Sequence, residues 1–236
     1  MDANDIRDLP PSAVEELGYW EQEFGGAGTN AAETRRRLDP ATRQESFPPL
    51  VATLLPLLRR MFTISGPVPC FELGSGPMSN LAWGVDQGLL TVTAVDVLAE
   101  HYAALLRRYG VDYPVRPVKG SGETLREHFA ERTFPLVYAS NSLDHTDDLP
   151  RSFDNLVHLV APGGVLALQH HLTEGSHRNW SDSHHWDLDL GNRGLCATHR
   201  TGRRYELGQR PDLEIVYLCY RSYALDGWID IVYRRR

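Results

Sequence analysis

The chain has 236 residues, 42% hydrophobic and 23% charged, the proportions of a soluble globular protein large enough to need no disulfide staples. Its formal charge of −7 argues against a nucleic-acid-binding surface, which requires a basic patch. Nearly all the basic residues are arginine, and the runs Arg35-Arg36-Arg37 and Arg234-Arg235-Arg236 read as solvated faces or tails.

Cys70, Cys196 and Cys219 form neither a CxxC signature nor a disulfide framework, and Cys70 and Cys219 read as buried thiols within apolar strands. No apolar run approaches the roughly 20 residues of a membrane span, and nothing resembles a signal peptide. The expectation is a cytoplasmic protein with no membrane partner.

Residues 1–62 read as a helical N-terminal cap. Ser12-Ala-Val-Glu15 has the capping-box pattern and predicts a helix running towards Phe24. Gly25-Gly-Ala-Gly28 breaks the chain, 34–38 forms a turn of helix, and 48–62 is an amphipathic helix made irregular by Pro56. Tyr19, Trp20 and Phe24 are available to cover a ligand or to pack on the main domain.

Val68-Pro-Cys-Phe-Glu-Leu-Gly-Ser-Gly-Pro77 then reads as strand, tight glycine turn and helix start. Pro suits the first helical position, and glycines let the backbone approach a ligand with helix N–H groups pointing at it. Leu90-Thr-Val-Thr-Ala-Val95 is a second strand ending in Asp96, where an acid about 20 residues beyond the turn grips a ribose. The third position of a dinucleotide G-x-G-x-x-G is Ser79, and Glu72 precedes the first glycine by two residues. Together these favour S-adenosylmethionine (SAM) over NAD.

The strand–helix rhythm continues with a helix at 98–109 closed by Gly110, a third strand at 113–118 and the loop Gly120-Ser-Gly-Glu123. Glu123 reads either as an adenine or ribose contact or as the first-turn acid of a helix at 123–131. Phe134-Pro-Leu-Val-Tyr-Ala-Ser140 is the fourth strand, and Asn141-Ser-Leu-Asp-His145 leaves its carboxyl end, where ligands of open α/β sheets bind. A helix at 151–159, a tight turn Ala161-Pro-Gly-Gly164 and a fifth strand at 165–169 follow. Residues 170–211 form a polar insertion rich in His and Trp, with a small hairpin around Thr201-Gly202. Strands at 213–220 and 228–233, joined through Leu225-Asp-Gly227, end the chain.

Residues 68–236 resemble the class I SAM-dependent methyltransferases. The resemblance rests on Glu72-Leu-Gly-Ser-Gly76, Asp96, the Gly120–Glu123 loop, and the pairing of Phe134-Pro-Leu-Val-Tyr-Ala with Leu143-Asp-His145 and Leu159-Val-Ala-Pro-Gly-Gly164. It is similar more narrowly to a small bacterial subgroup linked to secondary metabolism, with a G-S/A-G-P turn and an N-x-L-D-H segment. That subgroup's tail departs here: Trp180 stands where tyrosine is common, and His185 and Asp187 replace glutamine and asparagine. The resemblance implies a Rossmann-like α/β fold with a seven-stranded, mostly parallel sheet and an antiparallel C-terminal strand pair. The helical cap (1–62) precedes a SAM-binding domain (63–236) that carries a lid or substrate insertion at 170–211.

The implied cofactor contacts are Gly74, Ser75 and Gly76 under the methionine part, Asp96 and Val97 at the ribose, Gly122 and Glu123 near the adenine, and Asn141 with Ser142 beside the sulfonium. Glu72 and Tyr19 complete the set. Tyr19, Trp20, Trp180 and Trp186 are the aromatics available to the positive sulfur. His145 is the first choice for a general base or acceptor-orienting group, followed by His184 and His185, each with a purely structural role as its alternative. The catalytic set is therefore His145, Asn141, Trp180 and His184. Five histidines between 170 and 185, with Asp182 and Asp187 close by, raise the question of a metal; no HExxH-like spacing supports one, and none is expected.

The expected activity is methyl transfer to a small molecule. The alternative is an intramolecular SAM cyclase that closes the amino-acid part to azetidine-2-carboxylate and releases methylthioadenosine. A non-catalytic partner subunit is disfavoured by the intact glycine turn and ribose acid. A homodimer is compatible with the composition.

Overall fold

The computed structural model describes residues 9–180, 184–222 and 227–236. Three helices come first: α1 (Pro11–Phe24), α2 (Ala31–Leu38) and α3 (Pro49–Met61). The chain then runs β1 (Val68–Leu73), α4 (Ala82–Asp86), β2 (Leu90–Asp96), α5 (Ala99–Arg108), β3 (Val118–Lys119), α6 (Leu125–Phe129), β4 (Phe134–Ser140), α7 (Leu149–Leu159) and β5 (Val160–His171). After α8 (Glu174–His177) come β6 (Trp186–Gly191), β7 (Gly194–His199), β8 (Arg204–Glu206), β9 (Leu213–Ser222) and β10 (Gly227–Arg235).

Seven strands form one sheet in the order β3-β2-β1-β4-β5-β10-β9. The first five are parallel, and β10 pairs antiparallel with both β5 and β9. The strand order reverses between β1 and β4, the topological switch point where open α/β sheets form a crevice at their carboxyl ends. The central strands read as unbroken apolar runs because both faces are covered. Cys70, Leu136, Tyr138, Ala167 and Val232 pack under α3 through Leu50, Val51, Leu54 and Leu58. Phe71, Val137, Ala139, Leu168 and Ile231 face the other way, onto Phe153, Leu156 and Val157 of α7. β9 is the edge strand, and Val216, Tyr217, Leu218 and Tyr220 on it are exposed.

Several local expectations change. The Ser12–Glu15 capping box does not form, because α1 opens two residues earlier than that cap implies, at Pro11, with Pro10 in the capping position and no side-chain cap. The third strand shrinks to Val118–Lys119: Pro114 and Pro117 lack the N–H that a ladder needs, while Tyr113 and Val115 are buried beside Met78 and Leu106 without pairing. The turn at Ala161–Gly164 is absorbed into a strand running from Val160 to His171, with Gly163 at φ 79° and a register shift against β4. Cys219 is half-buried rather than buried.

The insertion folds as a second, three-stranded antiparallel sheet, β6-β7-β8, with the expected hairpin turning at Gly202 (φ 86°). Its Trp186, Leu188, Leu195, Ala197 and Leu207 join the core that holds α7 and β10. Tyr233 of β10 ties it down, its hydroxyl accepting the Leu195 N–H at 2.7 Å. Leu225 and Asp226 of the expected link between the last two strands, and Asp182, lie outside the described residues.

Candidate functional site

At the switch point lies a cleft of about 800 Å³, within the range of small-molecule sites. Its floor is the turn Gly74-Ser75-Gly76. Gly74 and Gly76 have φ of 67° and 60°, the left-handed region that a Cβ disfavours. A Cβ at Gly74 would lie 2.3 Å from that of Ser142, and one at Gly76 would press on the Trp20 ring at 3.3 Å. The turn is therefore bare backbone between two walls, one from the segment after β4 and one from α1.

Asp96 closes β2 and lines the cleft. One carboxylate oxygen accepts the Gly76 N–H at 3.0 Å and the other the Leu98 N–H at 2.9 Å. Burial pushes its pKa up to about 6, against the lowering pull of those two N–H groups. Val97 is exposed beside it. Glu72 is set back from the cleft wall: it is buried and takes the Ser79 hydroxyl at 2.5 Å, and burial raises its pKa to about 7 against that hydrogen bond and the charge of Arg37. Its position makes it a brace for the turn through Ser79, whose hydroxyl oxygen also accepts the Leu81 N–H at 3.0 Å.

Gly122 and Glu123 border the cleft from the loop after β3. Glu123 is the first-turn acid of the short helical turn Gly122–Thr124 that runs into α6, and its carboxylate accepts the Asp148 N–H at 3.1 Å just before α7. Asn141 holds φ 44°, a conformation Asn tolerates better than most residues, with its N–H on the Gln169 carbonyl (2.8 Å) and its side-chain oxygen taking the His171 N–H (3.2 Å). Both bonds join the ends of β4 and β5. Ser142 donates to the Leu73 carbonyl at 3.1 Å and so links β4 to β1.

From α1 it is Trp20, not Tyr19, that faces the cleft. Trp20 donates to Glu16 at 2.7 Å, while Tyr19 points outward and accepts from Asn30. Helical periodicity separates adjacent residues by about 100°, so only one of the pair can face inward. Arg37, read from sequence as part of a solvated run, also lines the cleft and donates to the Met78 carbonyl, leaving its Nε without a partner among the described residues.

Beyond Asn141, the chain makes a single turn that carries Asp144 and His145. His145 reaches the cleft, and its Nε2 lies 3.2 Å from Nδ1 of the buried His184, which in turn lies 2.5 Å from Asp144 Oδ2. Burial opposes the charge on Asp144, but His145, the His184 hydrogen bond and the other nearby rings outweigh it and hold the carboxyl below the usual range. Burial also works against protonated His184, yet Asp144 raises its pKa. His170, fully buried behind them, is pushed down to about 4, chiefly by burial. His185 lines the cleft and donates its backbone N–H to the Asp144 carbonyl at 2.8 Å.

Two expected aromatics fall elsewhere. Trp180 does not line the cleft: it sits at φ 55° against Gly175, where an added Cβ would meet its ring at 2.6 Å. Trp186 is core, with its indole N–H on the Thr146 carbonyl at 2.7 Å. Asp144, Glu16 and Arg37 are the site residues that sequence reasoning did not single out. Asp144 lay inside a quoted motif, whereas Glu16 and Arg37 carry no motif and are placed by helix packing alone.

Residues 71–168, from β1 through most of β5, match the family model described as a methyltransferase domain. The chain carries that match over less than half of its length. Its cofactor is S-adenosyl-L-methionine, in keeping with the class I fold. Among solved structures, the chain is similar to the [4+2]-cyclase SpnF (14% identity, 78% of this chain and 80% of that one, TM-score 0.51). A provisionally assigned sarcosine dimethylglycine methyltransferase from Galdieria sulphuraria matches at 11% identity over 77% and 84% of the two chains, with a TM-score of 0.52. The N-methyltransferase NodS from Bradyrhizobium japonicum matches at 16% over 79% and 97%, with a TM-score of 0.49. These likenesses concern the fold. No curated protein sequence matches the chain.

Proposed function

We propose that this chain transfers a methyl group from SAM to a small molecule, in bacterial secondary metabolism. The observation that carries the reading is the bare Gly74–Gly76 turn beside the buried Asp96 carboxylate, at the switch point of a methyltransferase domain. SAM supplies a methyl carbon already activated by its sulfonium, so the protein's work is to position and desolvate. Asp96 accepts the ribose hydroxyls. Arg37 pairs with the methionine carboxylate, for which its unpartnered Nε offers a donor. Gly122 lines the adenine end of the cleft, and its missing side chain lets the loop pack closely on Ser152 of α7. Asn141 and Ser142 place their backbone beside the sulfonium, and Trp20 covers the turn from α1. His145 orients the acceptor from the cleft wall, and the excess of 31 Asp and Glu over 24 Lys and Arg offers no basic path for a nucleic acid.

The test is to incubate the protein with SAM alone and follow small products by mass spectrometry. The reading predicts bound, unconsumed SAM, with S-adenosylhomocysteine formed only after an acceptor is added. Methylthioadenosine together with azetidine-2-carboxylate would instead make SAM the sole substrate.

A further inference from the structure

Behind the cleft, the carboxyl ends of β4 and β5 and the start of β6 converge on a cluster of side chains that methyl transfer does not by itself require. Asp144 Oδ2, His145 Nε2 and His184 Nδ1 form a triangle with edges of 2.5, 3.2 and 3.5 Å. Three ligands held about 2.0–2.2 Å from one cation lie roughly 3.0–3.5 Å apart, so the two His145 edges already match and the Asp144–His184 edge, here a hydrogen bond, opens by about 0.5–1 Å to admit the ion; two imidazoles with one carboxylate suit a divalent transition metal that keeps open positions. We propose that Asp144, His145 and His184 bind a divalent transition cation of the zinc–iron class at the acceptor end of the cleft.

A second set of observations points the same way. Metal-bound histidines usually pass their other ring N–H to a carboxylate. His184 Nε2 faces Glu174 Oε1 at 3.8 Å, so a cation on Nδ1 fixes the proton on the nitrogen nearest that acid. His170 Nδ1 stands 3.8 Å from Asp144 Oδ1 in the same outer position. Asp144 Oδ1, both ring nitrogens of His170 and Glu174 Oε2 are buried without a hydrogen-bond partner among the described residues. Orphaned polar atoms in that number are costly in a dry interior. Asp144 Oδ1 belongs to the ligating carboxylate itself, and a cation there gives the outer His170 and Glu174 one charge to organise around.

The binding site stands on side-chain geometry, while its role rests on the SAM reading above. His145 borders both cluster and cleft, so the acceptor class that fits is one whose hydroxyl or carboxylate oxygen can enter an open position on the metal.

The experiment strips the full-length protein with a chelator and titrates it with Co²⁺, followed by Zn²⁺. One equivalent of Co²⁺ with visible d–d absorption, displaced by Zn²⁺, is expected of the wild type. Asp144→Asn and His184→Asn are expected to lower affinity at least 100-fold. Glu174→Gln, which removes no ligand, is expected to lower it 10–100-fold with the metal-free melting temperature unchanged. His177→Asn is expected to bind as the wild type does. No saturable uptake by the wild type overturns the site without relying on any variant, and so does uptake that His184→Asn leaves unaltered. SAM affinity measured on the same stripped sample separates the two readings: SAM bound with no metal uptake sinks the metal site alone, and metal uptake without SAM binding sinks the cofactor role alone.

Discussion

Asp96 shows how one residue couples chemistry to pH. Burial raises its pKa to about 6, so the free carboxyl takes up a proton below that pH. Ribose hydroxyls donate to a carboxylate, so SAM binding favours the deprotonated form. Affinity is then full above about pH 7 and falls roughly tenfold per unit below 6, a dependence that calorimetric titration between pH 5 and 8 measures. A flat profile would contradict Asp96 as the ribose acceptor. Arg37 is the second such residue. Arg37→Met is expected to weaken SAM binding about tenfold, or ~1.4 kcal/mol, while leaving the fold intact. Unchanged affinity would return Arg37 to a structural role under Met78.

At the scale of elements, the strand–turn–helix corner depends on two contacts that a side chain cannot share. Gly74→Ala places a Cβ against Ser142 and asks an L-residue to hold φ 67°. The expected result is a loss of at least 1–3 kcal/mol of stability in denaturant titration, with SAM binding lost as well. Adding Ser142→Gly relieves the contact but not the dihedral, so the double variant recovers only part. The glycine turn and Asp96 were legible in the sequence, because glycine acts locally and Asp96 follows at a fixed spacing; the helix start expected at Pro77 was not, since the chain turns through residues 77–81 and α4 begins only at Ala82. The third strand was not, because its apolar pattern looks the same whether or not Pro114 and Pro117 interrupt the ladder. Trp20 and Tyr19 could not be told apart from periodicity until the phase of α1 was known. The Asp144–His184 pair joins residues 40 apart, a contact between the turn after β4 and the insertion that is invisible to any local motif.

For the molecule as a whole, the insertion is part of the core on one side and reaches the cleft on the other. Trp186, Leu188 and Leu195 anchor it, and His185 is the described residue of that segment that lines the cleft. Tyr233→Phe removes the hydroxyl that accepts the Leu195 N–H and leaves that buried donor unpaired. Denaturant unfolding is expected to show a loss of about 1–3 kcal/mol, with SAM affinity unchanged because the bond is remote from the glycine turn. A matching loss of SAM affinity would mean that the second sheet sets the shape of the cofactor site.

The central claim is that the cleft between β1 and β4 binds SAM through Asp96, and calorimetric titration of wild-type and Asp96→Ala protein with SAM tests it most directly. The account predicts one saturable, micromolar site in the wild type and none in a variant that circular dichroism shows to be folded. No saturable binding by the wild type, or micromolar affinity retained by Asp96→Ala, would contradict it.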